Sequence, residues 1–318
     1  MLNPVLPLGR DVAENAARKV VMTAGMKTTL KAGSRVAVVA PGGALASTGI
    51  GPALAWLEEC GWVPRLGLHL HDRHRYLAGS REDRLADLRW ALTAPDIEAV
   101  WFARGGYGTV QLLDALPWEG IDDRLLLGFS DASAVMWARA RRGLPSIHAP
   151  VLTTLCFDDR VVDAASQAAL RRLLVSGEPS SLPGEHLIGP RSTVRGPIVG
   201  GNLTVLASLA GTSEAFVGEG AIVVLEDVYE APYRLDRLLT QLIASGGLRG
   251  ALGIALGEFA HCDPPIGATY SLADIWREYL GPLGIPVIYD LPVGHGQRNY
   301  AFPYGAEATL SPTGVTFA

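Results

Sequence analysis

Leu125-Leu126-Leu127-Gly128-Phe129-Ser130-Asp131-Ala132 is the stretch on which the fold turns. A short apolar run ends in a glycine, a serine follows, and the residues from Ala132 to Arg142 have helical character. A strand that breaks sharply into a helix at a serine has the logic of a nucleophile elbow, which lifts the hydroxyl above a sheet. The G-x-S-x-G pattern places glycine on both flanks. Here Gly128 keeps one and Ala132 replaces the other, so the match is partial. The plain alternative is that Ser130 or Asp131 caps the helix, and taken alone the stretch favours the cap.

Working outward, Arg35 to Ala40 (RVAVVA) is a β-branched run ending in Pro41-Gly42-Gly43. Pro52 to Cys60 and Glu82 to Leu92 carry helical spacing. Ile97 to Ala103 (IEAVWFA) predicts the next strand, followed by the glycine loop Arg104-Gly105-Gly106-Tyr107-Gly108 and a helix over Thr109 to Leu116. Strands alternating with helices predict a parallel sheet with ligand groups at the carboxyl ends of its strands. After a helix around Asp163 to Val175, the segment 176–195 is rich in Gly, Pro and Ser and reads as a linker. Beyond it come Pro197 to Val199 leading into Gly200-Gly201-Asn202, and a strand, Ala221 to Leu225, that delivers Glu226 and Asp227. Leu235, Leu238, Leu239, Leu242 and Ile243 predict an amphipathic helix over Tyr233 to Ala244. A late strand, Pro286 to Tyr289, leads towards Gly294-His295-Gly296. The expected organisation is an extension (1–33, with Met22 or Met26 as alternative starts), an α/β domain (34–175), a linker (176–195) and a β-rich domain (196–318).

The 318 residues suffice for two cores. A hydrophobic share of 48% against 19% charged residues fits a folded chain and excludes general disorder. With a net charge of −5 the chain has no basic footprint for nucleic acid, and a small substrate is the better expectation. Apolar runs stop short of the ~18–20 residues a membrane span needs, so no membrane partner is expected. Cys60, Cys156 and Cys262 are far apart and form no CxxC pair, as expected of reduced thiols in a cytoplasmic protein.

A serine nucleophile needs a base and an acid to orient it. His69, His71 and His74 lie in a polar stretch, His186 falls in the linker, His261 adjoins Cys262, and His148 fits either the first domain's site or, as the favoured reading, a core histidine. His295, between two glycines, can approach another loop closely. Glu226 leaves its strand directly, with Asp227 and Glu230 as rivals, and Glu230 also has the i, i+4 spacing to pair with Arg234. Spacing alone does not choose among the three.

Five segments in one order resemble the LD-carboxypeptidase family of serine peptidases and their microcin-immunity relatives. They are ARGGYG (103–108), GFSD (128–131), GGNL (200–203), LEDVYEAPYRLDRLL (225–239) and GHG (294–296). The resemblance covers residues 35–318. It implies Ser130 as nucleophile, Glu226 as acid and His295 as base, with oxyanion donors in the N–H groups of Asp131 and Gly106, Gly105 being the reserve. It also implies an amino-terminal parallel-sheet α/β domain followed by a carboxyl-terminal β-rich α+β domain with the site between them, a muropeptide substrate, no cofactor or metal, and a homodimer. Departures are His148-Ala149-Pro150 where the family has H-G-P, Phe129 before the serine, and the unmatched extension. Two other readings stand beside it. One is a microcin-immunity-type hydrolase of aminoacyl-nucleotides. The other is a non-catalytic nucleotide-binding module using Arg104 to Gly108 as a phosphate loop, against which Gln111 stands where the dinucleotide fingerprint needs glycine.

Overall fold

The computed structural model describes residues 28–46, 49–156 and 162–317. Met22, Met26 and the extension up to residue 27 lie outside the described residues. The end of the extension is tied down: Leu30 is buried and donates its N–H to the Leu174 carbonyl at 2.7 Å.

The RVAVV run forms β1 (Arg35–Val39), with Val36 and Val38 in one core and Ala37 and Val39 in another. A strand buried on both faces needs apolar residues at every position, which is why the run does not alternate. Parallel to it lie β2 (Val63–Leu66), β3 (Ala99–Phe102), β4 (Leu125–Gly128) and β5 (Ser146–His148), in the order β2-β1-β3-β4-β5. Strand order reverses between β1 and β3. The loops leaving the carboxyl ends at such a reversal diverge and leave a crevice. Around this sheet lie α1 (Gly51–Glu59), α2 (Arg81–Thr93), α3 (Ser133–Ala140), α4 (Leu152–Cys156) and α5 (Ala164–Ser176). A reciprocal capping box of Ser80 and Asp83 starts α2. The helix expected over Thr109 to Leu116 is instead a 3₁₀ helix, Thr109–Ala115. Pro117 forces Leu116 into the extended region (ψ 139°), which cuts the run short.

The second half contains β6 (Leu182–Pro183), β7 (Glu185–Ile188), β8 (Val194–Asn202), β9 (Ile222–Val228), β10 (Gly253–Ala260), β11 (Val287–Tyr289), β12 (Phe302–Tyr304), β13 (Glu307–Ser311) and β14 (Gly314–Phe317), with helices α6 (Leu203–Ser208), α7 (Pro232–Ala244) and α8 (Leu272–Leu280). Its eight-stranded sheet runs β6-β14-β13-β8-β9-β10-β11-β7, with β8 to β11 parallel and antiparallel strands on both flanks. Thus the architecture is a parallel-sheet α/β half followed by a β-rich half. The segment expected as a linker, 176–195, is built into this sheet, supplying β6 and β7 at its outer edges. Strands of two and four residues leave little periodicity to read. Conversely, β12 crosses back and pairs antiparallel with β5 of the first sheet.

The two halves share one continuous apolar core, reaching from α2 and α3 to β9 and β10. Every residue of α3 is buried, and the helix packs against β8 and α6. At its approach, a Cβ on Gly128 would stand 2.8 Å from the Ala132 Cβ and 3.4 Å from that of Phe102. Only one member of the Gly128/Ala132 pair can carry a methyl group, so the alanine in place of the second glycine is tolerated because the first is kept. Gly128→Ala is therefore expected to lower stability by about 1–3 kcal/mol through overpacking, read as a shift in the denaturant midpoint against wild type.

Candidate active site

Ser130 follows β4 and opens a short 3₁₀ turn, Ser130–Ala132, that runs into α3. Its φ of 61° puts a non-glycine residue in the left-handed region. Such a conformation costs about 1–3 kcal/mol and persists where the surroundings over-determine it. They do so here. A Cβ on Gly105 would lie 2.9 Å from Ser130 Oγ, so the glycine loop after β3 presses its backbone directly on the serine. Asp131 is buried, and its Oδ2 accepts hydrogen bonds from Thr109 N–H (2.9 Å) and Thr109 Oγ1 (2.5 Å). Burial raises the Asp131 pKa, and the Thr109 donors oppose that shift. Neither Ser130 nor Asp131 caps α3, whose N-cap is Ala132 without a side-chain bond. The capping alternative therefore does not describe this turn; Asp131 clamps the elbow to the 3₁₀ helix after the glycine loop.

From the other half, β9 carries Glu226, fully buried and in register with Asn202 of β8. His295 sits on the loop after β11, where Gly294 bridges to Glu258 of β10. The imidazole joins the two halves: Nδ1 lies 2.6 Å from Glu226 Oε2 and Nε2 lies 2.9 Å from Ser130 Oγ. A carboxylate only accepts, so Nδ1 carries the proton and Nε2 is free to accept that of the serine hydroxyl. Geometry also decides among the rival acids. Asp227 is committed to Asn202 Nδ2 (3.0 Å), Thr204 N–H (2.9 Å) and Thr204 Oγ1 (2.8 Å), while Glu230 lies 3.5 Å from Arg234. Successive strand residues face opposite ways, so of the adjacent pair only Glu226 meets the histidine.

A cleft of about 200 Å³ opens over Ser130 and His295, bounded also by Arg104, Gly106, Phe129 and Val228. It thus lies between the halves, with Gly105 and Gly106 at its wall. A larger recess of about 270 Å³ lies near Arg141 and Arg142, but both cations are paired with Glu214, and among the described residues that line it there is no histidine to activate the Ser213 hydroxyl. His69, Asp72 and Asp83 approach one another closely enough to hold a metal ion, yet His69 is bonded to Asp72, and Asp83 serves the cap of α2.

The partners of several supporting residues escaped the sequence reading. Asn202 donates its N–H to Ser133 Oγ (3.1 Å), joining the GGNL segment to the first residue of α3, and a side chain on Gly201 would collide with that hydroxyl. His148 is buried, stacks on Phe302 (4.7 Å between centroids) and places Nε2 3.2 Å from Asn299 Oδ1. The same Oδ1 accepts the Gly294 N–H at 3.3 Å, so this pair backs the loop bearing His295. The only signal for Asn299 was its place a few residues beyond GHG.

A hydroxyl on a strained elbow, bonded to an imidazole that a buried carboxylate orients, is the arrangement of serine hydrolases. Residues 36–149 match the family model of the LD-carboxypeptidase N-terminal domain and residues 195–310 that of the LD-carboxypeptidase C-terminal domain. The murein tetrapeptide carboxypeptidase of Pseudomonas aeruginosa is 44% identical over 286 residues, spanning 87% of this chain and 92% of that one. The crystal structure of muramoyltetrapeptide carboxypeptidase from Oxalobacter formigenes superposes with a TM-score of 0.73 at 28% identity, over 87% of this chain and 95% of that one. The microcin C7 self-immunity protein MccF reaches 0.81 at 17% identity, over 93% and 98%, a likeness of fold. The chain belongs to the LD-carboxypeptidase family, and is accordingly a peptidase.

Burial lowers the pKa of His148 from 6.5 to about 4, opposed by the Glu226 charge and the Asn299 bond. An unfolded chain takes up this proton below about pH 6.5 while the folded one resists until about pH 4. Stability from this group is therefore full above 6.5 and is lost as pH falls towards 4. Asp131 and Asp227, with raised pKa values, act in the opposite sense, so a difference measurement is needed. His148→Gln should flatten the fall in unfolding free energy between pH 6.5 and 4 by about 3 kcal/mol relative to wild type, measured by chemical denaturation across that range.

Proposed function

We propose that this protein is a serine carboxypeptidase that hydrolyses the amide between an L-configured centre and a terminal D-alanine in peptidoglycan tetrapeptides. The single observation that carries the reading is His295 bonded at once to Ser130 Oγ and Glu226 Oε2 across the two halves. Its support in substrate terms is the 44% identity to a murein tetrapeptide carboxypeptidase.

Ser130 Oγ attacks the scissile carbonyl carbon as its proton passes to His295 Nε2, and Glu226 stabilises the resulting imidazolium. The N–H groups of Asp131 and Gly106 receive the oxyanion, with Gly105 as the reserve donor. The imidazolium then gives its proton to the amine of departing D-alanine, and water, activated by the same imidazole, hydrolyses the acyl-enzyme. No step calls for a cofactor.

The microcin-immunity reading shares this machinery, but its structural neighbours at 17% identity speak for the fold alone. A cytoplasmic site of action accords with the free Cys60 and Cys262 and with the absence, among the described residues, of any helix long and apolar enough to cross a membrane. A homodimer is suggested by family resemblance.

Ser130→Ala should lower turnover of a defined muropeptide tetrapeptide by roughly a thousandfold or more. Mass spectrometry of the wild-type products should show the tripeptide and free alanine; retention of activity in the variant, or cleavage elsewhere in the peptide, would overturn the reading.

A further inference from the structure

Arg104 bounds the same cleft as Ser130 and His295, and among the described residues that bound it there is no other lysine or arginine and no carboxylate. The side chain is exposed at the carboxyl end of β3. Its NH1 donates to the Ala44 carbonyl at 2.6 Å, and its Nε lies 3.5 Å from where a Cβ of Gly43 would stand. Gly43 in turn donates its N–H to the Gly105 carbonyl at 2.9 Å. The guanidinium is therefore held against the two glycine loops beside Ser130. Arg124, Arg141, Arg142, Arg234, Arg277 and Arg298 each meet a carboxylate. Among the described residues Arg104 meets none, so its charge faces the cleft with no counter-ion supplied by them.

We infer that Arg104 receives the free carboxylate at the end of the substrate, and so confines cleavage to the terminal residue. The inference rests on the carboxypeptidase reading above. In a bound peptide the terminal carboxylate lies one residue, about 3.5 Å, beyond the scissile carbonyl. With one nitrogen anchored on Ala44, the guanidinium still has N–H groups for a carboxylate and is already oriented, so little side-chain entropy remains to be lost. A longer peptide would place a neutral amide there and bury its own chain against the cation. The positive charge thus rewards the chain end and nothing upstream of it.

The test compares wild type, Arg104→Ala and Arg104→Lys on two peptides: a tetrapeptide ending in D-alanine and the same peptide ending in D-alaninamide. Wild type should prefer the free acid in kcat/KM. Arg104→Ala should lose about tenfold to a hundredfold on the acid and less than about threefold on the amide, so that the preference collapses. Arg104→Lys should fall between. A parallel loss on both peptides would make Arg104 a brace for the Ala44 loop and overturn the assignment, as would an unchanged preference in Arg104→Ala. If wild type cleaves neither peptide while remaining folded, the carboxypeptidase reading itself falls and takes the assignment with it.

Discussion

The seating of α3 between two sheets is the constraint on which the rest of this molecule depends. The serine leads into this helix from the first half, while the imidazole and carboxylate come from the second. A hydrogen-bonded relay built that way works only if the halves keep register to about half an ångström. The helix meets that demand at both ends. At its start, Ser133 Oγ accepts the Asn202 N–H. Along its length, Trp137 is fully buried, packs its ring at a tilt against Phe216 with centroids 4.6 Å apart and donates Nε1–H to the Glu214 carbonyl at 3.1 Å. Just past its end, Arg141 and Arg142 grip the Glu214 carboxylate at 2.9 and 2.6 Å. Buried ion pairs return little net stability after desolvation, but they tolerate only one geometry. Here they fix the angle at which the second half lies on the first.

Electrostatics follow the same division of labour. Glu226 and Asp227 are adjacent on β9 and both buried, yet they face opposite ways and serve different ends. Glu226 spends one oxygen on His295 and leaves Oε1 without a hydrogen-bond partner among the described residues. A desolvated carboxylate so placed gains most when the imidazole becomes charged, which is what the proposed role of His295 as general base would call on. Asp227 instead gathers Asn202 and Thr204, and its pKa is raised by burial and then by the charge of Glu226. Two like charges one residue apart are sustained because a network of donors holds the second.

Much of this was legible in the sequence because the decisive elements are buried on both faces. RVAVV, AVWF and LLLG are short apolar runs whose only comfortable place is inside a parallel sheet, and their loops carry the glycines. The relay residues stood out for a related reason: each is a polar group set where packing favours an apolar one. What the sequence hid lies at edges and crossings. β2 exposes Val63 and Leu66, and β6 and β7 are edge strands, so none has a patterned run. β12 belongs to the first sheet although it lies past the second, and no local signal reports a pairing partner more than 150 residues away. Thr109, Asn299 and Asp131's clamp were invisible for the same reason, since their meaning is in their partners.

Such partnerships explain why five separated motifs are better evidence together than any one alone. Each supplies a surface another must fit. The backbone of Gly105 meets Ser130, that of Gly201 meets Ser133, and a Cβ on Gly296 would fall on the Glu258 carboxylate. A side chain at any of these contacts would move the hydroxyl or the imidazole, and a shift of about 1 Å in a bound geometry can cost a hundredfold in rate. The motifs therefore report one packed object seen at five points along the chain. A lone glycine loop is compatible with a phosphate site or a simple turn. A glycine loop whose missing side chain is the space occupied by a strained serine, itself bonded to a histidine from the other half, leaves those alternatives no room.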